Sequence, residues 1–224
     1  MRPLVVGLLV GLAATQVGCR SAGRRLPSLF SGGSVSRLAA EAASPDPDLR
    51  REAALTLGRR RLRGEQAENV RDLLAELLRG DPEPLVRSAA AVSLGRQGGE
   101  PSVPVLIERQ ADASPLVRAD VCRALGMTGV AEAKAPLKRA LAEDADVDVR
   151  CAAARALGGF SDADARQALL EALDAERLAV QTAAHEALVK STGAKKVPPQ
   201  RDAWEQWLAG HADEQPRRRR FLFW

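Results

Sequence analysis

A short pattern recurs five times at nearly constant spacing, and it constrains the fold of this chain more than any other feature. The copies align on an anchor position, which is Arg50, Arg87, Arg118, Arg150 and Gln181 in turn. These anchors are 37, 31, 32 and 31 residues apart. Such a period is typical of solenoids, in which each repeat buries its apolar face only by stacking on its neighbours. The spacing therefore predicts a stacked array of repeats.

Each copy of the pattern predicts one helix. Asp46-Pro47 and Ser114-Pro115 place an N-cap oxygen before a proline at the first helical position, where the missing N–H has no consequence. Small and apolar residues follow at helical spacing, as Val149, Ala153 and Leu157 do in the fourth copy. A glycine follows the last leucine in four copies, where we expect a left-handed C-cap. These glycines are Gly58, Gly95, Gly126 and Gly158.

Apolar stripes between the anchor helices predict partner helices, which complete a series of helix pairs. The partner segments are residues 67–79, 103–110, 131–142 and 163–173, and a segment at 34–43 opens the array. Aromatic residues make up only 3% of the chain, so the core must consist of Ala, Leu and Val. Such a core suits close-packed helices and argues against a β-sandwich or a β-barrel. We therefore predict an all-α fold, an α-solenoid of about five helix pairs over residues 34–190.

The pattern D-x-x-V-R-x-x-A-A-x-A-L-G resembles the short HEAT-like repeats named after phycobilin lyases. This resemblance implies a right-handed superhelix and a structural ladder in which acids pair with anchor arginines of adjacent units. An anion-binding row of arginines is the alternative, but the acids recur together with the arginines, which favours the ladder. Gln181 breaks the row, as a capping repeat would. The predicted ladder comprises Arg50, Arg87, Arg118 and Arg150 with Asp81, Asp112 and Asp144, each aspartate six residues before an anchor.

The resemblance extends to enzymes. Deoxyhypusine hydroxylase is a HEAT-like protein that holds two irons with His-Glu pairs placed directly after the anchor arginine. None of the corresponding pairs is His-Glu here, and the one such pair, His185-Glu186, lies three residues out of that register. A metal centre needs several converging ligands, so we expect no metal and no cofactor. Phycobilin lyases attach a tetrapyrrole to a client cysteine, but no residue here marks bilin binding. A lyase-like or oxidoreductase-like enzyme, or an enzyme accessory subunit, remains the alternative function.

The surface of the anchor helices is the remaining candidate for function. Positions two and five residues after each anchor should face outward, and they change from partly apolar to charged along the array. A mixed, shallow surface suits a protein or peptide partner better than a small substrate, with an ordinary solvated surface as the alternative. The candidate partner-binding residues are Glu52, Leu55, Val92, Asp120, Arg123, Arg155 and Glu186.

The start of the chain predicts export. Arg2 precedes an apolar run at residues 4–14, which is shorter than the roughly 20 residues of a membrane span. Cys19 follows this run, and the segment resembles a bacterial lipoprotein signal, in which the cysteine takes a lipid and becomes the mature N-terminus. Gln16 stands where the usual signal has leucine, so ordinary secretion is the fallback. We predict a signal peptide at residues 1–18, a lipid on Cys19, a flexible tether at 19–33 and a lipid-anchored location in the bacterial cell envelope, facing the periplasm or exterior.

The net charge of +4 comes from the two ends of the chain. Residues 1–33 contain four arginines and no acid, residues 191–224 contain seven bases and four acids, and the middle carries a net charge of −3. A nucleic-acid partner requires Lys and Arg gathered on one folded surface. We therefore expect no nucleic-acid partner.

Aromatic residues gather near the end of the sequence. After a linker at residues 191–200, Arg201–Gly210 predicts a helix on which Trp204 and Trp207 share one face. The favoured role is a capping helix that covers the last repeat, and partner binding is the alternative. The tail at residues 211–224 joins four arginines to an aromatic and leucine cluster, Arg217–Trp224. A disordered end, a partner groove and anionic lipid are all open for it.

Overall fold

The computed structural model describes residues 33–211, and every regular element within them is a helix. The predicted signal peptide, Cys19, the tether up to residue 32 and the tail after residue 211 lie outside the described residues. Within the described part no helix has the length and apolar character needed to cross a bilayer. The eleven α-helices there are α1 (Ser34–Glu41), α2 (Pro47–Arg59), α3 (Glu65–Gly80), α4 (Pro84–Gln97), α5 (Val103–Glu108), α6 (Pro115–Thr128), α7 (Lys134–Glu143), α8 (Val147–Leu157), α9 (Ala163–Ala172), α10 (Leu178–Thr192) and α11 (Arg201–Gly210).

The helices form two layers, which confirms the predicted all-α solenoid. The anchor helices α2, α4, α6, α8 and α10 pack side by side in chain order. Each has a partner helix on its flank, so that α1 packs on α2, α3 on α4, α5 on α6, α7 on α8 and α9 on α10. Helix α11 packs on α9 at the end of the array. Each repeat thus buries its apolar residues against its two neighbours.

The core repeats as the sequence does. The leucine seven residues after each anchor is at most 1% exposed in all five copies. Burial of one leucine side chain stabilises the folded state by roughly 2 kcal/mol, so this column alone is a large part of the stability of the array. The five leucines are Leu57, Leu94, Leu125, Leu157 and Leu188.

The starts of the anchor helices use two kinds of N-cap. The side chain of Asp46 accepts a hydrogen bond from the Asp48 N–H at 2.9 Å, and Asp146 does the same for the Asp148 N–H. Ser114 occupies the N-cap position of α6, but its side chain makes no capping hydrogen bond. At this helix start the ladder residue Asp112 provides the side-chain acceptor instead, because its Oδ1 accepts the Ser114 N–H at 2.9 Å.

The prediction of left-handed C-caps at the four glycines is wrong. Gly58, Gly95 and Gly126 lie inside α2, α4 and α6, and Gly158 at the end of α8 has a φ of −61°. Left-handed glycines do end two of the anchor helices, but further along, as Gly129 after α6 and Gly193 after α10.

The four glycines mark the closest approach of neighbouring anchor helices. A Cβ added to Gly95 would lie 2.6 Å from the Cα of Ala124, and one added to Gly158 would lie 2.9 Å from the Cα of Ala187. Gly58 faces Ser93 and Gly126 faces Ala156 in the same way. The glycines are therefore needed for helix packing and not for a turn.

Candidate functional site

The anchor arginines bind aspartates of the following repeat. Arg118 donates from Nε and Nη2 to the two carboxylate oxygens of Asp144, both at 2.9 Å. Arg50 and Asp81 form the same bidentate pair at 2.7 and 2.9 Å, and Arg87 and Asp112 form it at 2.9 and 2.8 Å. Parallel charge-assisted hydrogen bonds of this kind fix both distance and orientation. The three pairs thus set the spacing between adjacent repeats.

Each pair also ties down the turn ahead of an anchor helix. The Arg118 Nη1 donates to the backbone oxygen of Asp112 at 3.0 Å, and Arg87 Nη1 donates to the backbone oxygen of Asp81 at 2.8 Å. The Asp144 carboxylate accepts the Asp146 N–H at 2.9 Å. The aspartate therefore accepts an N–H at the start of the next anchor helix, and the arginine donates to a carbonyl at the end of the preceding helix, so both satisfy backbone groups that helix ends leave without partners.

The environment of the ladder aspartates favours their charged form. Burial alone would raise the pKa of Asp112, but hydrogen bonds from Arg87, Arg109 and the Ser114 N–H hold that pKa well below its usual range. The pKa of Asp144 is lowered in the same way, because the bonds from Arg118 and from the Asp146 N–H outweigh burial. Folding is thus coupled to the ionisation of these carboxyl groups.

Arg150 departs from the predicted ladder. Its Nε donates to the backbone oxygen of Leu141 at 2.9 Å, and it makes no ion pair with a described residue. The reason lies in the next repeat, where Ala175 occupies the position that the aspartates hold elsewhere. Gln181 keeps one part of the pattern, since its Nε2 donates to the Ala175 backbone oxygen at 2.7 Å. The ladder therefore ends one repeat before the array does.

The ladder arginines are not a site for an external anion. The side chains of Arg50, Arg87 and Arg118 are only 11–17% exposed, and hydrogen bonds to an aspartate and to backbone oxygens occupy both edges of each guanidinium. The Arg–Asp arrangement stabilises the array from within.

Asp120 was predicted to face a partner, and this prediction is wrong. Asp120 is 6% exposed, accepts a hydrogen bond from the Ser88 hydroxyl of α4 and forms an ion pair with Arg123 Nη2 at 2.6 Å. The position two residues after the anchor faces the preceding anchor helix, and Ala89, Ala152 and Ala183 are buried for the same reason. Glu52 is exposed because α2 has no preceding anchor helix among the described residues.

The positions five residues after each anchor form an accessible row. Leu55 and Val92 are half-buried, whereas Arg123, Arg155 and Glu186 are exposed. Arg155 Nε and Glu186 Oε2 are 3.9 Å apart, a distance typical of a weak surface ion pair. We call these five residues the anchor-helix row; it is apolar in the first two repeats and charged in the last three.

Helix α11 covers the end of the array through Trp204. This side chain is fully buried, and its Nε1 donates to Nδ1 of His185 on α10 at 3.1 Å. Trp207 packs edge-on against Trp204 with ring centroids 6.0 Å apart, and it stacks on His211 at 4.2 Å. An indole N–H only donates, so Nδ1 of His185 must be unprotonated and accept. His185 is therefore a structural partner of the tryptophan.

A cleft of about 530 Å³ lies between the start of α10 and the start of α11. Its lining includes Leu173, Leu178, Thr182, His185 and Gln200. Leu178 is 74% exposed, the most exposed large apolar side chain in the described part of the chain. The lining also includes the charged residues Asp174, Arg201 and Asp202, so the cleft presents one exposed leucine among polar side chains at the last repeat.

Neither metal nor thiol chemistry has a candidate site in residues 33–211. No group of three or more His, Cys, Asp or Glu side chains converges there. Cys122 and Cys151 are buried and free, and burial raises the pKa of Cys122 to about 12 and raises that of Cys151. Both thiols are thus protonated near neutral pH and are poor nucleophiles.

The sequence analysis missed a basic cluster at the corner between α2 and α3. Arg59, Arg60, Arg61 and Arg63 are exposed in this turn. Gln97 Nε2 at the end of α4 donates to the backbone oxygens of Leu57 and Arg60, at 3.0 and 3.1 Å, which brings the exposed Arg96 beside them. The middle of the chain has a negative net charge, so its summed charge gives no sign of this cluster. The local run RRRLR does indicate it. We call these five arginines the arginine corner.

The sequence matches the model of a known family, described as HEAT repeats, over three overlapping stretches. They are residues 35–126, 103–189 and 135–218. Together they cover most of the chain, which therefore belongs to the HEAT-repeat family. No curated protein sequence matches it.

Several solved structures share the fold at low sequence identity. The complex of CpcE and CpcF of phycocyanin lyase from Nostoc sp. PCC7120 is similar with a TM-score of 0.60 and 22% identity, over 84% of this chain and 73% of that chain. The YibA protein of Escherichia coli has a TM-score of 0.56 and 24% identity, over 70% of this chain and 60% of that chain. An engineered protein has a TM-score of 0.53 and 19% identity, over 83% of this chain and 91% of that chain. At these identities the similarity shows the fold alone.

Proposed function

We propose that this protein is a membrane-anchored HEAT-repeat scaffold that mediates protein–protein interaction in the bacterial cell envelope. The observation that carries the proposal is the anchor-helix row. Five parallel helices present one accessible side chain each, apolar at Leu55 and Val92 and charged at Arg123, Arg155 and Glu186. A row with apolar side chains at one end and charged side chains at the other suits an extended protein or peptide partner.

The proposed anchor is the lipid on Cys19. This residue follows an apolar run that is too short to span a membrane, and the segment resembles a lipoprotein signal. Two or three acyl chains would hold the protein stably on a bilayer. The tether at residues 19–33 would then leave the array free to meet a partner.

Site-specific photo-crosslinking tests the proposed binding row in the native host. A photo-reactive residue at Val92 on the row is compared with one at Gln167, an exposed position on the partner helix α9. We expect one protein to be crosslinked from position 92 and not from position 167, and we expect Arg123→Glu to reduce that crosslink. Equal labelling from both positions, or none from position 92, would contradict a binding row.

A lyase-like accessory role is the second candidate. It is favoured by the similarity to the CpcE–CpcF complex of phycocyanin lyase, which is a similarity of fold. An absorption spectrum of protein purified from its host separates the two. A stoichiometric pigment band would favour the accessory role, and a spectrum with protein absorption alone would favour the scaffold.

A further inference from the structure

The arginine corner concentrates positive charge on one exposed turn of the first repeats. Four arginines lie within five residues, Arg59 to Arg63, and the Gln97 hydrogen bonds hold Arg96 of the next anchor helix beside them. All five side chains belong to exposed residues. Helices α2 and α3 fix the backbone on both sides of the turn, and Arg96 belongs to α4, so the charges form a defined patch.

The charges of this patch are not neutralised within residues 33–211. Several arginines elsewhere in the array have acidic partners, such as Asp144 for Arg118 and Glu108 for Arg79. The five corner arginines form no ion pair with a described residue. Like charges held together repel one another, and the resulting positive potential attracts an anionic surface. Arginine is also the side chain best suited to bidentate contacts with phosphate groups.

The position of the patch favours a membrane as that surface. The corner lies between the first two helix pairs, and the array begins directly after the proposed tether. A flexible tether of 15 residues has an average span of about 20 Å. Arg20, Arg24 and Arg25 add further positive charge to it, with no acid among residues 20–33. A lipid on Cys19 would thus bring the first repeats close to the bilayer.

A single-stranded nucleic acid fits these observations less well. Single-stranded nucleic acid is bound by aromatic side chains that stack on bases, interleaved with basic residues. The aromatic residues of the described part are Phe160, Trp204 and Trp207, which lie in the fourth repeat and in the cap. The corner contains arginine and no stacking platform.

We propose that the arginine corner binds the phosphate headgroups of an anionic bilayer and holds the first repeats against the membrane. The location of this contact rests on the proposed lipid anchor, but its chemistry does not.

Vesicle flotation tests the contact without the anchor. The probe is the mature chain, residues 19–224, with Cys19→Ser so that no acyl chain contributes and every described residue is kept. It is mixed with vesicles of phosphatidylglycerol and phosphatidylethanolamine, and separately with pure phosphatidylcholine. We expect binding to the anionic vesicles only, weakened by salt, with the double variant Arg60→Gln/Arg61→Gln binding about 30-fold more weakly, or roughly fivefold per arginine.

The control is Arg139→Gln/Arg177→Gln, which removes the same charge from exposed positions on α7 and before α10. We expect the control to change vesicle binding by less than twofold. We expect both double variants to have the melting temperature of the parent chain. The proposal is overturned if the two double variants weaken binding equally, if the corner variant has no effect, or if a random 20-base-pair duplex competes better than the vesicles. A separate mass measurement of the native N-terminus tests the lipid on Cys19, so the two claims fail independently.

Discussion

Gly95 of α4 lies so close to Ala124 of α6 that an added Cβ would be 2.6 Å from the Ala124 Cα. We predict that Gly95→Ala destabilises the protein by about 2 kcal/mol, because backbone and not a flexible side chain must give way. The matched control is Gly80→Ala at the end of α3, where an added Cβ meets nothing within 4 Å. That change should stabilise by up to about 1 kcal/mol. Urea unfolding measures both, and equal effects would contradict the close-packing role.

The Arg–Asp ladder predicts that equivalent arginines differ in their importance. Arg118→Gln leaves the largely buried Asp144 without its cation and should cost about 3 kcal/mol of unfolding free energy. Arg150→Gln removes a single hydrogen bond to the Leu141 backbone and should cost about 1 kcal/mol. The comparison is made by denaturant unfolding at neutral pH. Equal losses would show that the aspartate does not matter.

The lowered pKa values predict acid sensitivity of a definite sign. Asp112 and Asp144 have folded-state pKa values below the roughly 3.9 of an unfolded chain. The contribution of these carboxylates to the free energy of unfolding is therefore complete above about pH 5. It is lost as the pH falls through 4 towards the folded-state pKa values. Melting temperature between pH 7 and pH 2.5 measures the loss. Asp112→Asn should melt lower at pH 7 but lose less on acidification, and an unchanged pH slope would contradict the linkage.

The cap predicts a difference between two tryptophans of one helix. Trp204→Ala removes a fully buried side chain and its hydrogen bond to His185, and should cost about 3–5 kcal/mol. Trp207→Ala removes a half-buried side chain and should cost about 1 kcal/mol. Unfolding is followed by far-ultraviolet circular dichroism, because both changes alter the fluorescence. If the two substitutions lowered the free energy of unfolding by the same intermediate amount, α11 would not be a structural cap.

The fold could be predicted from the sequence because equivalent positions in successive repeats have the same burial and the same contacts. The leucine seven residues after each anchor is buried in every copy, and each ladder aspartate lies six residues before the following anchor. The predicted helix Arg201–Gly210 has the bounds that the structure gives. Periodicity therefore carried most of the information on architecture.

The details that failed depend on contacts between helices that are distant in sequence. A glycine after a leucine fits a C-cap as well as a close crossing, and only the position of Ala124 distinguishes the two for Gly95. Asp120 lies on a face that is outward for a single helix, but α4 covers that face in the array. The arginine corner was missed because charge was summed along the chain, whereas Gln97 joins residues that lie nearly 40 positions apart.

The most direct measurement of the central claim is native mass spectrometry of the protein, extracted with mild detergent from the membranes of its own host. A membrane-anchored scaffold predicts a chain that begins at Cys19, carries the mass of its acyl chains and retains a protein partner. An unlipidated chain that carries a stoichiometric metal or chromophore and no protein would contradict the account.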